Sequence, residues 1–227
     1  SYQIIPKKIR IDKPMLMQIV RLGIPSGLQQ MIVSFSNVLV MSYVNRFGSA
    51  AIAGFSSANK FDNFLGLPVN SFMLAITTFV GQNYGAGQLK RCRKTLFLCL
   101  IEDAVATAAA IGIVLLSCRF LLSIFNNDPA VIDLGYVRLV TIFFAYIFSM
   151  LYEVMSGYLR GFGISLTPAI LTTLGVCGVR IVWIAAVFPK SRTFETIMTA
   201  YPVSLSLTAV LIFIALLIAH AVTLQNL

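Results

Sequence analysis

The sequence predicts an all-α protein that crosses a membrane six times. Three observations lead to this prediction: an apolar composition, apolar runs long enough to span a bilayer, and short polar segments between them. Hydrophobic residues make up 58% of the 227 residues and charged residues only 11%, with a mean hydropathy of +0.88. Water-soluble domains carry roughly 45–50% apolar and about 25% charged residues. Lipid, rather than water, is therefore the expected solvent.

Six apolar runs reach the length of about 20 residues that a helix needs to cross the hydrocarbon core. The first two runs are longer than a straight span requires, and each contains a proline, Pro25 or Pro68, that is expected to bend its helix. Residues 1–14 are polar and basic, and residues 15–227 form the predicted bundle. The predicted spans are about 17–44, 50–80, 95–120, 131–158, 167–188 and 197–222.

Turn-forming residues separate the predicted spans. Gly, Pro and Asn adopt the tight backbone geometries of short connections, so breaks are expected near Gly48, Gly85, Asn127, Gly163 and Lys190. Short connections make neighbouring helices antiparallel. We expect no sheet.

The distribution of basic residues predicts the orientation. Cytoplasmic loops carry an excess of Lys and Arg. With the first residue inside, ten basic residues fall on one side of the membrane and four on the other, so both termini of this multi-pass plasma-membrane protein are expected in the cytoplasm. The net charge of +9 is assigned to these loops and not to nucleic-acid binding. The larger set is Lys7, Lys8, Arg10, Lys13, Arg21, Lys90, Arg91, Arg93, Lys94 and Arg160, and the smaller set is Arg46, Arg119, Lys190 and Arg192.

The residues that most membrane-embedded enzymes need are missing from the sequence. The four cysteines form no CxxC pair, and His220 is the single histidine. Without an HExxH motif or a Cys/His cluster, no metal site is expected. No GxSxG motif is present either, so we expect neither catalytic residues nor a cofactor.

Four segments carry a resemblance to a known family. Residues 22–29 read LGIPSGLQ, residues 48–54 read GSAAIAG, residues 81–87 read GQNYGAG, and residues 157–163 read GYLRGFG. These segments and their order resemble the multidrug and toxic compound extrusion (MATE) family, and the resemblance covers almost the whole chain.

The resemblance implies one lobe of a twelve-helix transporter. Family members have two lobes of six helices, and residues 1–14 resemble the cytoplasmic linker between them, which implies the C-terminal lobe. The implied function is export of drugs or other amphipathic, often cationic, compounds in exchange for H⁺ or Na⁺. The implied partners are small-molecule substrates, the lipid bilayer, and either an N-terminal lobe or a second copy. The chain by itself is not expected to transport.

A lipid-linked oligosaccharide flippase of related architecture is the alternative function. Such a protein should hold the pyrophosphate of its substrate with cationic side chains around a central cavity. Lys60 and Arg180 are the two candidates at membrane depth.

Asp62 is the strongest site candidate, because ionisable side chains inside a bilayer are costly and are by default functional candidates. It lies near the middle of the second span, where Asn59 and Asn63 share its helical face while Lys60 points in another direction. One interpretation is a site for H⁺, Na⁺ or a cationic substrate. The other is a structural pair with a polar group of a neighbouring helix. We favour the first.

Two acidic residues follow in the third span. Glu102 and Asp103 are adjacent and face different directions. Either could bind a cation, or could pair with Arg91 or Lys94 near the cytoplasmic edge.

Three further candidates lie in the other spans. Glu153 and Arg160 share one face of the fourth span, where an ion pair is favoured over a transport site. Arg180, inside the fifth span, needs a partner, for which Asp62, Glu153 or a carbonyl could serve. Asn37 belongs to a polar side of the first span that could either line a cavity or form hydrogen bonds between helices. The other members of that polar side are Gln29, Gln30, Ser34 and Ser36.

Two GxxxG spacings predict close helix packing near the cytoplasmic face. Gly81 and Gly85 form the first, and Gly157 and Gly161 form the second.

Overall fold

All regular secondary structure is helical in residues 12–225, which the computed structural model describes, with side chains up to residue 221. The prediction of an all-α fold is therefore confirmed, whereas most of the predicted linker at 1–14 lies outside the described residues. The helices are α1 (Lys13–Val44), α2 (Ser49–Gly85), α3 (Leu89–Leu116), α4 (Cys118–Ser123), α5 (Pro129–Gly161), α6 (Leu166–Thr172), α7 (Val179–Ala186), α8 (Phe188–Ser191), α9 (Phe194–Met198) and α10 (Ala200–Gln225). A π-helical segment, Thr173–Gly178, joins α6 to α7.

Five helical stretches of the described chain are long and apolar enough to cross a membrane. The sixth predicted span corresponds to α1, which has 32 residues but is not among the five. Its glutamine, asparagine and serine side chains lower its hydropathy. Five of the six predicted spans are thus long and apolar enough to cross a membrane, whereas α1 is long enough but less apolar. The five stretches are Ser49–Gly85, Leu89–Leu116, Pro129–Gly161, Leu166–Ala186 and Phe194–Ala221.

The helix boundaries follow the turn residues. Gly48, Gly87 and Gly163 adopt φ values of 87°, 71° and 82°, which favour glycine, next to the predicted breaks. The Asp128 side chain accepts a hydrogen bond from the Ala130 amide at 2.9 Å and caps α5. The predicted break near Lys190 lies between the apolar stretches Leu166–Ala186 and Phe194–Ala221, and the short helix α8 falls within it.

Helix α5 forms the centre of the bundle and packs on α2, α3 and α10. Its glycines permit the closest approach: a Cβ atom on Gly157 would lie 2.7 Å from the Met73 carbonyl oxygen, and one on Gly161 would lie 2.6 Å from the Val80 Cβ. Close packing is therefore confirmed for the second GxxxG spacing. The first spacing is looser, since a Cβ on Gly81 would meet its nearest atom at 3.6 Å and one on Gly85 would meet nothing within 4 Å.

Helix α1 packs more loosely than the central helices. Its buried residues are only Gln29, Ser36, Val40 and Val44. Because α1 contacts α6 and the π-helical segment more than it contacts α2, a cavity is left open among α1, α2, α5, α7 and α10.

Candidate functional site

The cavity has a volume of about 650 Å³ and is bordered by both main apolar clusters of the core. This size is in the range of small-molecule sites, about 300–1,000 Å³. Six of the seven candidate residues line it, and Glu102 does not. The six are Asn37, Asn59, Lys60, Asp62, Glu153 and Arg180.

Asp62 forms a buried ion pair with Arg138. Nη2 of Arg138 lies 2.5 Å from Oδ2 of Asp62 and also donates to Oδ1 of Asn59 at 3.1 Å. The side chains of Arg138 and Asp62 are only 2% and 13% exposed. The hydroxyl of Tyr146 donates to the backbone carbonyl of Asp62 at 2.5 Å, which fixes this turn of α2 against α5. Asp62 therefore borders the cavity and is also paired with a neighbouring helix.

The ion pair leaves several of its polar atoms without hydrogen bonds. Nε and Nη1 of Arg138 and Oδ1 of Asp62 are buried and have no partner among the described residues. The guanidinium carbon of Arg138 lies 3.4 Å from the centre of the Phe55 ring and 5.6 Å from that of Tyr201. Arg138 is thus held by its contact with Asp62, by its hydrogen bond to Asn59 and by the face of the Phe55 ring.

Arg138 is the functional residue that sequence reasoning missed. It lies inside the predicted fourth span, so the rule that made Asp62 a candidate applies equally to Arg138. The signal was present in the sequence: a long apolar run with one arginine well inside its ends.

Arg180 has a different environment from Arg138. Its Nε donates to Ser204 Oγ at 3.2 Å, its Nη1 donates to Asn37 Oδ1 at 2.9 Å, and its guanidinium carbon lies 4.2 Å from the centre of the Tyr201 ring. Of the three candidate partners, Asp62 and Glu153 are wrong, whereas the carbonyl is met by the side-chain amide of Asn37. Helix α7 starts directly after the π-helical segment, and Arg180 reaches Asn37 on α1 and Ser204 on α10.

Glu153 lines the cavity without an ion pair to any described residue. The predicted pair with Arg160 is not formed as a direct contact, although the positive charge of Arg160 acts on the Glu153 carboxylate from beyond salt-bridge distance. Seven residues along a helix correspond to about 10 Å of rise, which separates the two side chains. Arg160 instead donates to Gln29 Oε1 at 2.8 Å and contacts the Met73 sulfur at 3.5 Å.

Lys60 lies at the exposed rim of the cavity. Its ammonium group is 4.3 Å from the centre of the Phe125 ring, a cation–π contact. Lys60 makes no ion pair with Asp62, as its different helical direction predicts.

Glu102 is exposed on α3. The predicted pairs with Arg91 and Lys94 are not formed in the described structure, and Arg91 donates to Gln88 Oε1 at 2.9 Å instead. Its neighbour Asp103 is fully buried and accepts a hydrogen bond from Thr107 Oγ1 at 2.9 Å. The structure thus keeps both carboxylates of α3 out of the cavity lining.

The cavity therefore combines one carboxylate in a direct ion pair, Asp62, with one that makes no direct ion pair to the described residues, Glu153. Arg138 compensates Asp62, whereas Glu153 and Arg180 make no ion pair within the described part of the chain. Such a cavity can bind a cation at Glu153 and an anionic group at Arg180. No group of three or more potential metal ligands occurs among the described residues.

Comparison with known families identifies the lobe. The model of the MatE family matches residues 25–185, more than half of the chain. The chain belongs to the MatE family. The resemblance stated from the sequence motifs is thus confirmed, and the protein is a membrane protein of a multidrug efflux transporter family.

Two curated MatE relatives come from Bacillus subtilis (strain 168). The probable multidrug resistance protein YoeA is 23% identical over 207 residues, which are 90% of this chain and 44% of YoeA. The probable multidrug resistance protein YpnP is 28% identical over 156 residues, 69% of this chain and 35% of YpnP. The chain thus spans less than half the length of these two relatives.

Solved MATE structures share the fold of this chain. A crystal structure of a MATE transporter in complex with MaL6 superposes with a TM-score of 0.87 at 16% identity, covering 98% of this chain and 50% of the other. An outward-facing multidrug resistance MATE transporter gives a TM-score of 0.85 with the same coverage. At this identity the likeness establishes the fold, and the chain matches half of each transporter.

Proposed function

We propose that this MatE lobe is part of a secondary active antiporter that exports drugs or other amphipathic compounds in exchange for H⁺ or Na⁺. It acts as a transporter and not as an enzyme. The observation that carries the proposal is Glu153, a carboxylate that lines an intramembrane cavity without an ion pair to the described chain. An unpaired charge at membrane depth is costly, and a bound proton or sodium ion removes that cost.

Glu153 is a better cation site than Asp62. The coupling cation would have to displace Arg138 from Asp62, because one carboxylate oxygen contacts the guanidinium and the other is buried. Glu153 has no arginine in direct contact, because Arg160 acts on it only from beyond salt-bridge distance. If a cationic substrate and the coupling cation compete for the same carboxylate, binding of either one expels the other. The result is exchange of substrate for cation.

A second lobe is needed to complete the transporter. The chain matches half of the solved MATE transporters, and α1 leaves many apolar side chains exposed. We propose that this chain is the C-terminal lobe and works with an N-terminal lobe or with a second copy. Both termini then face the cytoplasm from the plasma membrane, and the single lobe does not export.

Gradient-driven export tests the proposal. The two-lobed transporter that contains this chain is reconstituted in proteoliposomes loaded with ethidium, an amphipathic cation, and an H⁺ or Na⁺ gradient is imposed. We expect export by the unmodified protein and loss of export in Glu153→Gln. The matched control is Glu102→Gln, since Glu102 lies outside the cavity lining. Gradient-driven export that persists in Glu153→Gln would contradict the assignment of Glu153.

The second candidate function is the lipid-linked oligosaccharide flippase. One observation favours it: Arg138 joins Lys60 and Arg180, so three cationic side chains border the cavity. Asp62 neutralises one of these three, which leaves a weaker positive field than a pyrophosphate site needs. Movement of a lipid-linked oligosaccharide across the same proteoliposome membrane, without any ion gradient, would favour the flippase.

A further inference from the structure

Arg180 is a buried cation of the cavity that has only neutral partners. The residue is 5% exposed, and it contacts the hydroxyl of Ser204, the amide oxygen of Asn37 and the ring of Tyr201. Among residues 12–225 the two ion pairs are Arg119–Asp133 and Arg138–Asp62, so no described carboxylate pairs with Arg180. We propose that Arg180 binds the anionic group, a carboxylate or a phosphate, of the transported compound. The proposal rests on the proposed function, because it assigns part of the substrate of that cavity.

The physical reason is the cost of an uncompensated charge. A buried ion loses several kcal/mol of solvation, and neutral hydrogen bonds recover only part of that loss. Arg138 recovers it through Asp62, 2.5 Å away, although both arginines stack on the same Tyr201 ring. Arg180 faces the cavity and has no carboxylate in the position that Asp62 takes beside Arg138. The counter-ion of Arg180 is therefore expected to be part of the ligand.

The surroundings of Arg180 suit recognition of an acid. Ser204 and Asn37 hold Nε and Nη1, and the face of Tyr201 supports the guanidinium plane, so its orientation is fixed before a ligand binds. A fixed guanidinium binds carboxylates and phosphates through paired hydrogen bonds. Apolar side chains of the same cavity, including Phe55, Ile142 and Leu205, provide contacts for the rest of an amphipathic molecule. Arg180 thus adds a site for the acidic group of amphipathic acids and zwitterions to a cavity whose Glu153 can bind cationic groups.

Binding of a matched pair of probes tests this assignment. The probes are dansyl-phenylalanine and its methyl ester, which differ only in the carboxylate, and the dansyl fluorescence reports entry into an apolar site. The two-lobed transporter is placed in neutral phosphatidylcholine nanodiscs, and empty nanodiscs give the background. A charge-assisted hydrogen bond contributes about 1.5–3 kcal/mol, so we expect the acid to bind at least about tenfold more tightly than the ester.

Three variants locate the preference. Arg180→Gln is expected to remove the tenfold preference for the acid and to change ester binding little. Ser204→Asp places a carboxylate beside Arg180, where Ser204 now accepts from Nε, and should abolish acid binding by supplying an internal counter-ion. Arg119→Gln is the control, because Arg119 pairs with Asp133 on the exposed surface and should retain the preference. For each variant, the elution position is compared with that of the folded, unmodified transporter.

Two results would overturn the proposal: equal binding of acid and ester by the unmodified protein, or an unchanged preference in a folded Arg180→Gln or Ser204→Asp variant. If Arg180→Gln does not fold, the unmodified protein and Ser204→Asp still decide. Adding phosphatidic acid to the nanodiscs identifies the source of the anionic group. Competition with dansyl-phenylalanine assigns Arg180 to a lipid headgroup, and lack of competition assigns it to soluble compounds. Failure of ethidium export with the acid preference intact would reject the proposed coupling and leave this site standing.

Discussion

Arg138 and Asp62 meet across the interface of α5 and α2, with 2.5 Å between Nη2 and Oδ2, although 76 residues separate them in the chain. The contact joins the two helices that form the largest interface of the bundle. It also neutralises the carboxylate that the sequence alone marks as the strongest cation site. The charges of the cavity that remain without a direct ion pair are therefore those of Glu153, Arg180 and, at the rim, Lys60.

The losses of stability caused by mutating Asp62 and Arg138 should be strongly non-additive. Removing one member of a buried pair leaves the other charge uncompensated, at a cost of about 3–5 kcal/mol. We expect Asp62→Asn and Arg138→Gln each to lower the unfolding midpoint of the transporter in detergent by more than the double variant does. The double-mutant cycle is measured by thermal unfolding, with Asp133→Asn and Arg119→Gln as the exposed pair for comparison. Additive losses from Asp62→Asn and Arg138→Gln would show that the two side chains are not coupled.

Alanine should be tolerated at one GxxxG spacing and not at the other. At Gly157 and Gly161 the new methyl group would overlap atoms of α2, and overpacking costs about 1–3 kcal/mol per site. At Gly81 and Gly85 there is room, so Ala there should leave the unfolding midpoint nearly unchanged or raise it. Thermal unfolding of the four single variants makes the comparison. Equal losses at all four positions would be inconsistent with this packing.

Cysteine labelling should place the two polar ends of the bundle on opposite sides of the membrane. The native Cys92, Cys99, Cys118 and Cys177 are all buried and should react little. We expect a membrane-impermeant maleimide added to intact cells to label Arg192→Cys and not Gln88→Cys, because the basic cluster around Gln88 is predicted to be cytoplasmic. Permeabilised cells provide the control, where both positions should react. The reverse pattern in intact cells would invert the orientation.

The sequence predicts the helices of this lobe better than it predicts their contacts. Apolar runs and turn glycines place most breaks within a few residues, because burial in lipid and a positive φ are local requirements. The short helix α8 within the fifth break escaped prediction, since a proline and a lysine are as compatible with a first helical turn as with a loop.

Which side chains pair is not a local property. Glu153 and Arg160 share a helical face in the sequence, but they lie two turns apart on α5. Arg160 donates instead to Gln29 on α1. The partners of Arg180 depend on how α1 and α10 pack around the π-helical segment, and no periodicity of the sequence encodes that arrangement. Arg138, by contrast, could have been found from its position inside an apolar run.

Release of the coupling cation upon substrate binding tests the central claim most directly. The purified two-lobed transporter is held in weakly buffered detergent solution, ethidium is added, and released H⁺ is followed with a pH indicator or released Na⁺ with the radioactive isotope. If Glu153 holds the cation that the substrate expels, the unmodified protein releases one of the two ions, and Glu153→Gln binds ethidium without that release. Undiminished release from Glu153→Gln, or ethidium binding to the unmodified protein with neither ion released, would contradict the account.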